Sequence, residues 1–300
     1  MSKIQIILIF LSFFIFQKNN IAQTSYVSDD PKYVKNVKAA AKAYEEGNYK
    51  LCAACYEKAF EVTTESKLSL FRAARCYSLA KKAKKAHYWL DKSIEDNAES
   101  VSMWLAEDGN KFDYLRKKKK CWKDIQGKID VYESTINVAL RNELIEIQKE
   151  DQKYRMQMQE VERGSDEMDA LWEKQSAVDE KNIKRIEEII EKHGYPGKSL
   201  VGSQAMGAAF LVIQHADLSY QEKYLPLITE AAEKGEMQKS SLALLIDRVR
   251  MRNGEPQVYG TQLRNDPFSG ELWFYEIHDE FDVDRPVSYT HLTLPTKRRV

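Results

Sequence analysis

Residues Ser203–Asp217 read SQAMGAAFLVIQHAD, and the rest of the chain is organised around them. From Ala205 to Ala216 nearly every residue is small or apolar: Ala205, Met206, Ala208, Ala209, Phe210, Leu211, Val212, Ile213 and Ala216. A helix that is apolar all round has no solvent face, so this one is expected to run through the middle of a domain. Its polar residues, Gln214, His215 and Asp217, fall together at the C-terminal end. Buried polar groups cost free energy unless partnered, so partners must arrive from elsewhere in the chain. Where they arrive is where any chemistry is expected.

The composition around this helix supports a mainly α fold. Gly and Pro are sparse, at 12 and 7 of 300 residues, which favours long helices over a turn-rich β-fold. The length suits two modest domains. Lys and Arg total 46 and so do Asp and Glu. A formal net charge of zero argues against a nucleic-acid partner held by a general electrostatic field. No Ser elbow, HExxH motif, phosphate-cradling glycine loop or dinucleotide fingerprint is present, so no cofactor is implied.

Residues 1–23 read as a signal peptide. Lys3 precedes the apolar run Ile4–Phe16, polar Gln17–Asn20 follows, and Ala22 offers a small residue for cleavage. The run is short for a bilayer span. The expectation is an exported chain, periplasmic or secreted, with no stable membrane insertion after cleavage; an uncleaved anchor is the alternative. Cys52 and Cys55 are spaced CxxC within a helical pattern, with no second CxxC and no His cluster, so a metal site is not indicated. Small core cysteines are preferred over a bridge from Cys52 or Cys55 to Cys76.

Residues 32–96 carry a 34-residue repeat. Ala40, Ala43, Cys52, Tyr56 and Ala59 recur as Ala74, Tyr77, Ala86, Leu90 and Ser93, with Lys81 standing where the first copy has Gly47. The two stretches AAKAYEEGNYKLCAACYEKAFEV and AARCYSLAKKAKKAHYWLDKSIE resemble tetratricopeptide repeats, which implies paired antiparallel helices and a groove for a protein or peptide partner. Trp104, Leu105, Phe112 and Leu115 are expected to cap the stack, giving a repeat region over 32–116 and a helical connector over 117–137.

From Asp124 to Val161 one apolar stripe predicts a long or once-broken helix. Asp151 and Arg155, four apart on one face, read most simply as a surface ion pair. A second long helix over Asp166–Lys192 places Asp179 and Asn182 on one side and stops at Gly194. After the central helix, Ser219-x-x-Glu222 reads as a capping box. Ser241–Arg252 is a further apolar helix, with Asp247 and Arg248 embedded in it. Val258–Gln262 and Glu271–Ile277 read as two short strands of a β-hairpin.

The stretches ELIEIQKEDQKYR, VDEKNIKRIEEIIEKHGYPGKSLVG, AAFLVIQHAD, YLPLITEAAEKGE, LALLIDRV and GEPQVYGTQ resemble a bacterial domain-of-unknown-function family. The resemblance places a helical domain over 138–286 and implies no known reaction. Its motif positions include Asp151, Arg155, Asp179, Asn182, Gln214, His215, Asp217, Asp247, Arg248, Tyr259 and Gln262. Residues 287–300 are set aside, because VSYTHLTLPTK resembles the translation of a sequencing adapter.

Two functions fit this reading. In the first, the chain is an interaction protein whose repeats bind a protein or peptide. In the second, it is an enzyme, hydrolase-like, built on a polar cluster in the C-terminal domain. His215 is the candidate acid or base, with Asp247, Asp179 or Asp217 to fix its tautomer. Arg248 is the candidate for neutralising an anion, with Gln214, Asn182, Tyr259 and Gln262 completing the binding surface. The polar side chains of His215, Asp247, Arg248 and Gln262 are expected to converge.

Overall fold

The computed structural model describes residues 27–265 and 272–278. The expected signal peptide and the set-aside tail lie outside the described residues. Among these residues the chain is mainly α, with thirteen α-helices and one two-stranded sheet. None of the helices described is long and apolar enough to cross a membrane. The contacts separate two compact units, Gln23–Ile136 and the part from Asn137 onward.

The N-terminal unit is built from helical hairpins: α1 (Pro31–Glu45) with α2 (Tyr49–Phe60), and α3 (Lys67–Leu79) with α4 (Ala83–Ile94). Each hairpin turns on a residue with positive φ, Gly47 at 70° and Lys81 at 60°, 34 positions apart. Lysine accepts the left-handed conformation that glycine adopts without cost, which is why the second turn is hard to see in sequence. Ala40, Cys52, Ala59, Ala74 and Ala86 are all fully buried, so the helices meet over side chains too small to hold them apart. Aromatic rings fill the remaining space, with Phe60 on Trp89 at 4.6 Å and Phe71 on Trp104 at 5.2 Å. The last layer is α5 (Ala98–Glu107), a 3-10 turn, α6 (Asp113–Arg116) and α7 (Lys119–Glu133). It buries Val101, Phe112, Leu115 and Ile125 completely.

One finding here departs from the sequence reading. Cys52 and Cys76 form a disulfide, with Cα atoms 6.1 Å apart, while Cys55 stays a free buried thiol. The two sulfurs meet because Cys52 and Cys76 face the same core from α2 and α3, helices that pack on each other.

The C-terminal unit starts at a real break. The expected helix from Asp124 ends at Glu133 and resumes as α8 (Val138–Gln157), with the Asn137 side chain capping Leu140 N at 3.0 Å. Next come α9 (Asp166–His193), the short α10 (Lys198–Val201), α11 (Ala208–His215), α12 (Leu218–Glu233) and α13 (Lys239–Arg252). The quoted stretch supplies α11. It is only eight residues long because Ser203–Gly207 forms turns, but Ala208–Gln214 is buried throughout. Helices α8, α9 and α12 all pack on it.

Two local expectations are corrected. Helix α12 starts one residue after Asp217, so Ser219 lies inside the first turn, and Glu222 accepts from the Asn253 side chain instead of closing a capping box. The sheet pairs β1 (Leu263–Asn265) with β2 (Leu272–Phe274), antiparallel, with Leu263 opposite Phe274. Val258–Gln262 precedes the strand, because its backbone turns around a buried carboxylate.

Candidate functional site

That carboxylate is Asp247. Helix α13 points it at the loop after its own C-terminus, where Val258 N, Tyr259 N and Thr261 N donate to it at 2.7, 3.0 and 2.9 Å. The Thr261 hydroxyl adds a fourth donor at 2.9 Å. The side chain is fully buried. A buried carboxylate that accepts from backbone N–H groups and a hydroxyl is a loop anchor, and all its acceptor sites are taken up.

Arg248, the next residue, faces the end of α11. Its Nη1 donates to the Gln214 carbonyl at 3.0 Å, and its Nε approaches the Gln262 side-chain oxygen at 3.5 Å. Gln262 also donates to the Leu244 carbonyl and to Thr261. Burial pushes the Arg248 guanidinium down to about 9, with the charges of Arg252 and Arg155 acting in the same direction. It therefore stays protonated at neutral pH.

His215 is the last residue of α11, and its partner is Asp151 from α8, 64 residues upstream. Nδ1 lies 3.0 and 3.1 Å from the two carboxylate oxygens. Neither Asp247, Asp179 nor Asp217 takes this place. Burial would raise the Asp151 carboxyl, but the charge and hydrogen bond of His215, the charge of Arg155 and a bond from Gln152 outweigh it and hold it below its ordinary value. Burial dominates at His215 and lowers its pKa; Asp151 opposes this, while the charges of Arg155 and Arg248 reinforce it. The result is an ionised carboxylate against a neutral imidazole. Nδ1 then carries the proton and Nε2 the lone pair.

Asp151 and Arg155 are not on the surface, as their spacing first suggests. Their side chains are 1% and 2% exposed. Arg155 donates to the Asp151 backbone carbonyl at 2.6 Å and to Asp179 at 2.7 Å, tying α8 to α9. Gln175 bonds both the Asp151 carbonyl and the Asp179 carboxylate, at 3.1 and 2.8 Å. Asn182 sits deeper, 3.5 Å from the Ile147 carbonyl, and holds the two helices together below the cluster. Burial at this point forces polar pairing, because an isolated charge in the interior is far more costly than a paired one.

The cluster borders solvent on one side. A cleft of about 460 Å³ is lined by Arg155, Trp172, Asp179, Val212, His215 and Tyr220, among others, with Glu180, Lys184 and Asp217 among its lining residues. Asp179 is the most open member of the inner group, with 28% of its side chain exposed. Asp217 is exposed and caps α12 without a side-chain hydrogen bond.

Five expected residues thus divide into two neighbourhoods. His215 and Asp179 line the cleft with Arg155, while Asp247 anchors a loop and Arg248 with Gln262 sits behind the end of α11. Gln214 and Tyr259 contribute mainly backbone groups, a carbonyl and an N–H. Sequence reasoning missed Gln175, Gln221, Arg252, Trp172 and Tyr220. The clue for Gln175 was a polar residue one turn before Asp179 on a helix with an apolar stripe. Among the described residues, no group of His, Cys, Asp and Glu is arranged to hold a metal ion.

No curated protein and no solved structure matches this chain. A family model does match, over residues 138–293, beginning at the first residue of α8 and running into the stretch set aside from 287. The match covers more than half of the chain, and the protein belongs to the Family of unknown function (DUF6624).

Proposed function

We propose that the C-terminal domain is a hydrolase-like acid–base enzyme centred on His215, carried by an exported bacterial protein whose tetratricopeptide-like repeats dock a protein or peptide. The observation that carries the enzymatic reading is His215 on the wall of an open cleft, bonded from behind to the buried carboxylate of Asp151. A cleft of ligand size with a buried His–Asp pair opening onto it through the imidazole is the default place to look for a site. In this reading Asp151 fixes the tautomer, and His215 takes a proton at Nε2 from water or a substrate hydroxyl. Arg155 lies beside them, bonded to both Asp151 and Asp179, and its charge is among the causes that hold the Asp151 carboxyl below its ordinary value. Asp179 and Tyr220 orient the substrate. The Cys52–Cys76 bond supports export, since oxidising compartments preserve disulfides.

One observation favours the alternative of a non-enzymatic interaction protein. Asp247 and Arg248 are sealed from the cleft, which leaves the candidate catalytic set smaller than the sequence promised. Turnover separates the two readings. The purified protein is assayed from pH 5 to 9 against p-nitrophenyl acetate, p-nitrophenyl phosphate and bis-p-nitrophenyl phosphate, beside His215→Gln and Asp179→Asn. The expected result is hydrolysis of at least one ester that falls 100-fold or more in His215→Gln. Equal rates in wild type and His215→Gln overturn the enzymatic reading.

A further inference from the structure

Two carbonyl groups flank His215 in sequence, those of Gln214 and Ala216, and the end of α11 leaves both without helical partners. Three side chains converge on them. Gln221 Nε2 donates to Gln214 O at 2.7 Å and to Ala216 O at 3.3 Å. Arg248 Nη1 reaches Gln214 O at 3.0 Å, and Arg252 Nη1 reaches Ala216 O at 3.0 Å. Gln221 and Arg248 are buried, at 0% and 4% exposure. Two guanidinium groups at a helix C-terminus meet the negative end of its dipole, which is the favourable arrangement for cations.

We infer that Gln221, Arg248 and Arg252 are a clamp of positioning residues that fixes the backbone on both sides of His215 and so holds its ring against Asp151. The inference rests on the reading of His215 as the base, and it changes the role of Arg248 from a ligand for a substrate anion to a support for the residue before His215. The clamp approaches from α12 and α13, whereas Asp151 approaches from α8. The imidazole is therefore held by its own backbone from one side and by its Nδ1 from the other. Such support from behind is what catalytic geometry needs, because an ångström of misplacement costs orders of magnitude in rate.

The charged groups around the ring define a readout independent of substrate. Asp151 and Arg155 face it from α8, Asp179 lies beyond Arg155 on α9, Asp217 follows it, and Arg248 and Arg252 stand behind it on α13. The Arg248 charge opposes protonation of His215, alongside burial and Arg155. Long-range ¹H–¹⁵N spectra of the intact protein report the tautomer and the pKa of His215, assigned against His215→Gln. Wild type is expected to show a neutral ring with the proton on Nδ1 at pH 7. Arg248→Gln is expected to raise the His215 pKa, and Arg248→Lys to bring it back down.

Gln221→Leu covers the case in which Arg248→Gln does not fold. It removes two carbonyl contacts and no charge, so its expected signature is a mixed or exchange-broadened tautomer with the ring still titrating low. A sharp Nδ1–H ring identical to wild type in every folded variant overturns the clamp. These spectra need no turnover. Loss of the enzymatic reading with a shifted His215 leaves the clamp standing, and unchanged spectra with intact turnover do the reverse.

Discussion

At the scale of single residues, two buried carboxylates show how environment assigns a role. Asp247 and Asp151 are both fully buried, yet one meets backbone N–H groups and the other meets His215 and Arg155. Asp247→Ala strands three amide donors and a hydroxyl inside the domain. Each stranded donor costs about 1–3 kcal/mol, so chemical denaturation should show a loss above about 3 kcal/mol. Asp247→Asn keeps the shape but supplies an N–H where an acceptor is required, and should recover less than half of that loss. For the Asp151–His215 pair the prediction concerns pH. The folded pKa of His215 lies below its ordinary 6.5, so the unfolded chain binds the proton first as pH falls. Stability contributed by neutral His215 is present above pH 6.5 and is lost as pH falls from there toward its lowered folded value. Asp151 adds a further loss below its ordinary 3.8. Denaturant midpoints at pH 8, 6.5 and 5 should decline in wild type and decline less in His215→Gln. A flat profile in wild type refutes the neutral assignment.

At the scale of elements, what was legible depended on whether the cause was local. The period of apolar residues announced α8, α9, α11 and α13, and the 34-residue spacing announced the paired helices. The shift of the sheet from 258–262 to 263–265 was not legible, because the cause is a carboxylate on a different helix. Asp151 stayed hidden as the partner of His215 for the same reason: α8 and α11 meet only in three dimensions. Its i,i+4 spacing to Arg155 suggested a surface pair, and burial by α9 reversed the meaning of that spacing. The turn after α9 offers a prediction of its own. At Gly197 a Cβ would come within 2.5 Å of Glu236 Cβ and within 3.0 Å of its backbone oxygen. Glu236 there accepts from Lys198 N and Ser199 N, holding α10 in place. Gly197→Ala should therefore cost about 1–3 kcal/mol through overpacking, although its backbone φ is ordinary. A neutral result by thermal denaturation would show that Glu236 can move without releasing α10.

At the scale of the whole molecule, the chain contains two cores that respond to different conditions. The core of the N-terminal unit runs from Tyr33 to Ile129 and contains the Cys52–Cys76 bond. That bond spans 24 residues, a loop for which constraint of the unfolded chain is worth about 3 kcal/mol. The core of the C-terminal unit runs from Leu140 to Val249, and the unit holds the Asp151–His215 pair and no disulfide among its described residues. Calorimetry of the intact protein should show two transitions, because each unit buries its own apolar surface. Reduction with dithiothreitol, or Cys76→Ser, should lower one transition by several degrees and leave the other in place. Acidification from pH 8 to pH 5 should lower the second through His215, and His215→Gln should blunt that response. The transition that Cys76→Ser displaces is that of the N-terminal unit, which holds the bond. A single transition displaced equally by reduction and by acid would mean that the two cores unfold as one cooperative body, and the division of the molecule into separately stabilised units would have to be abandoned.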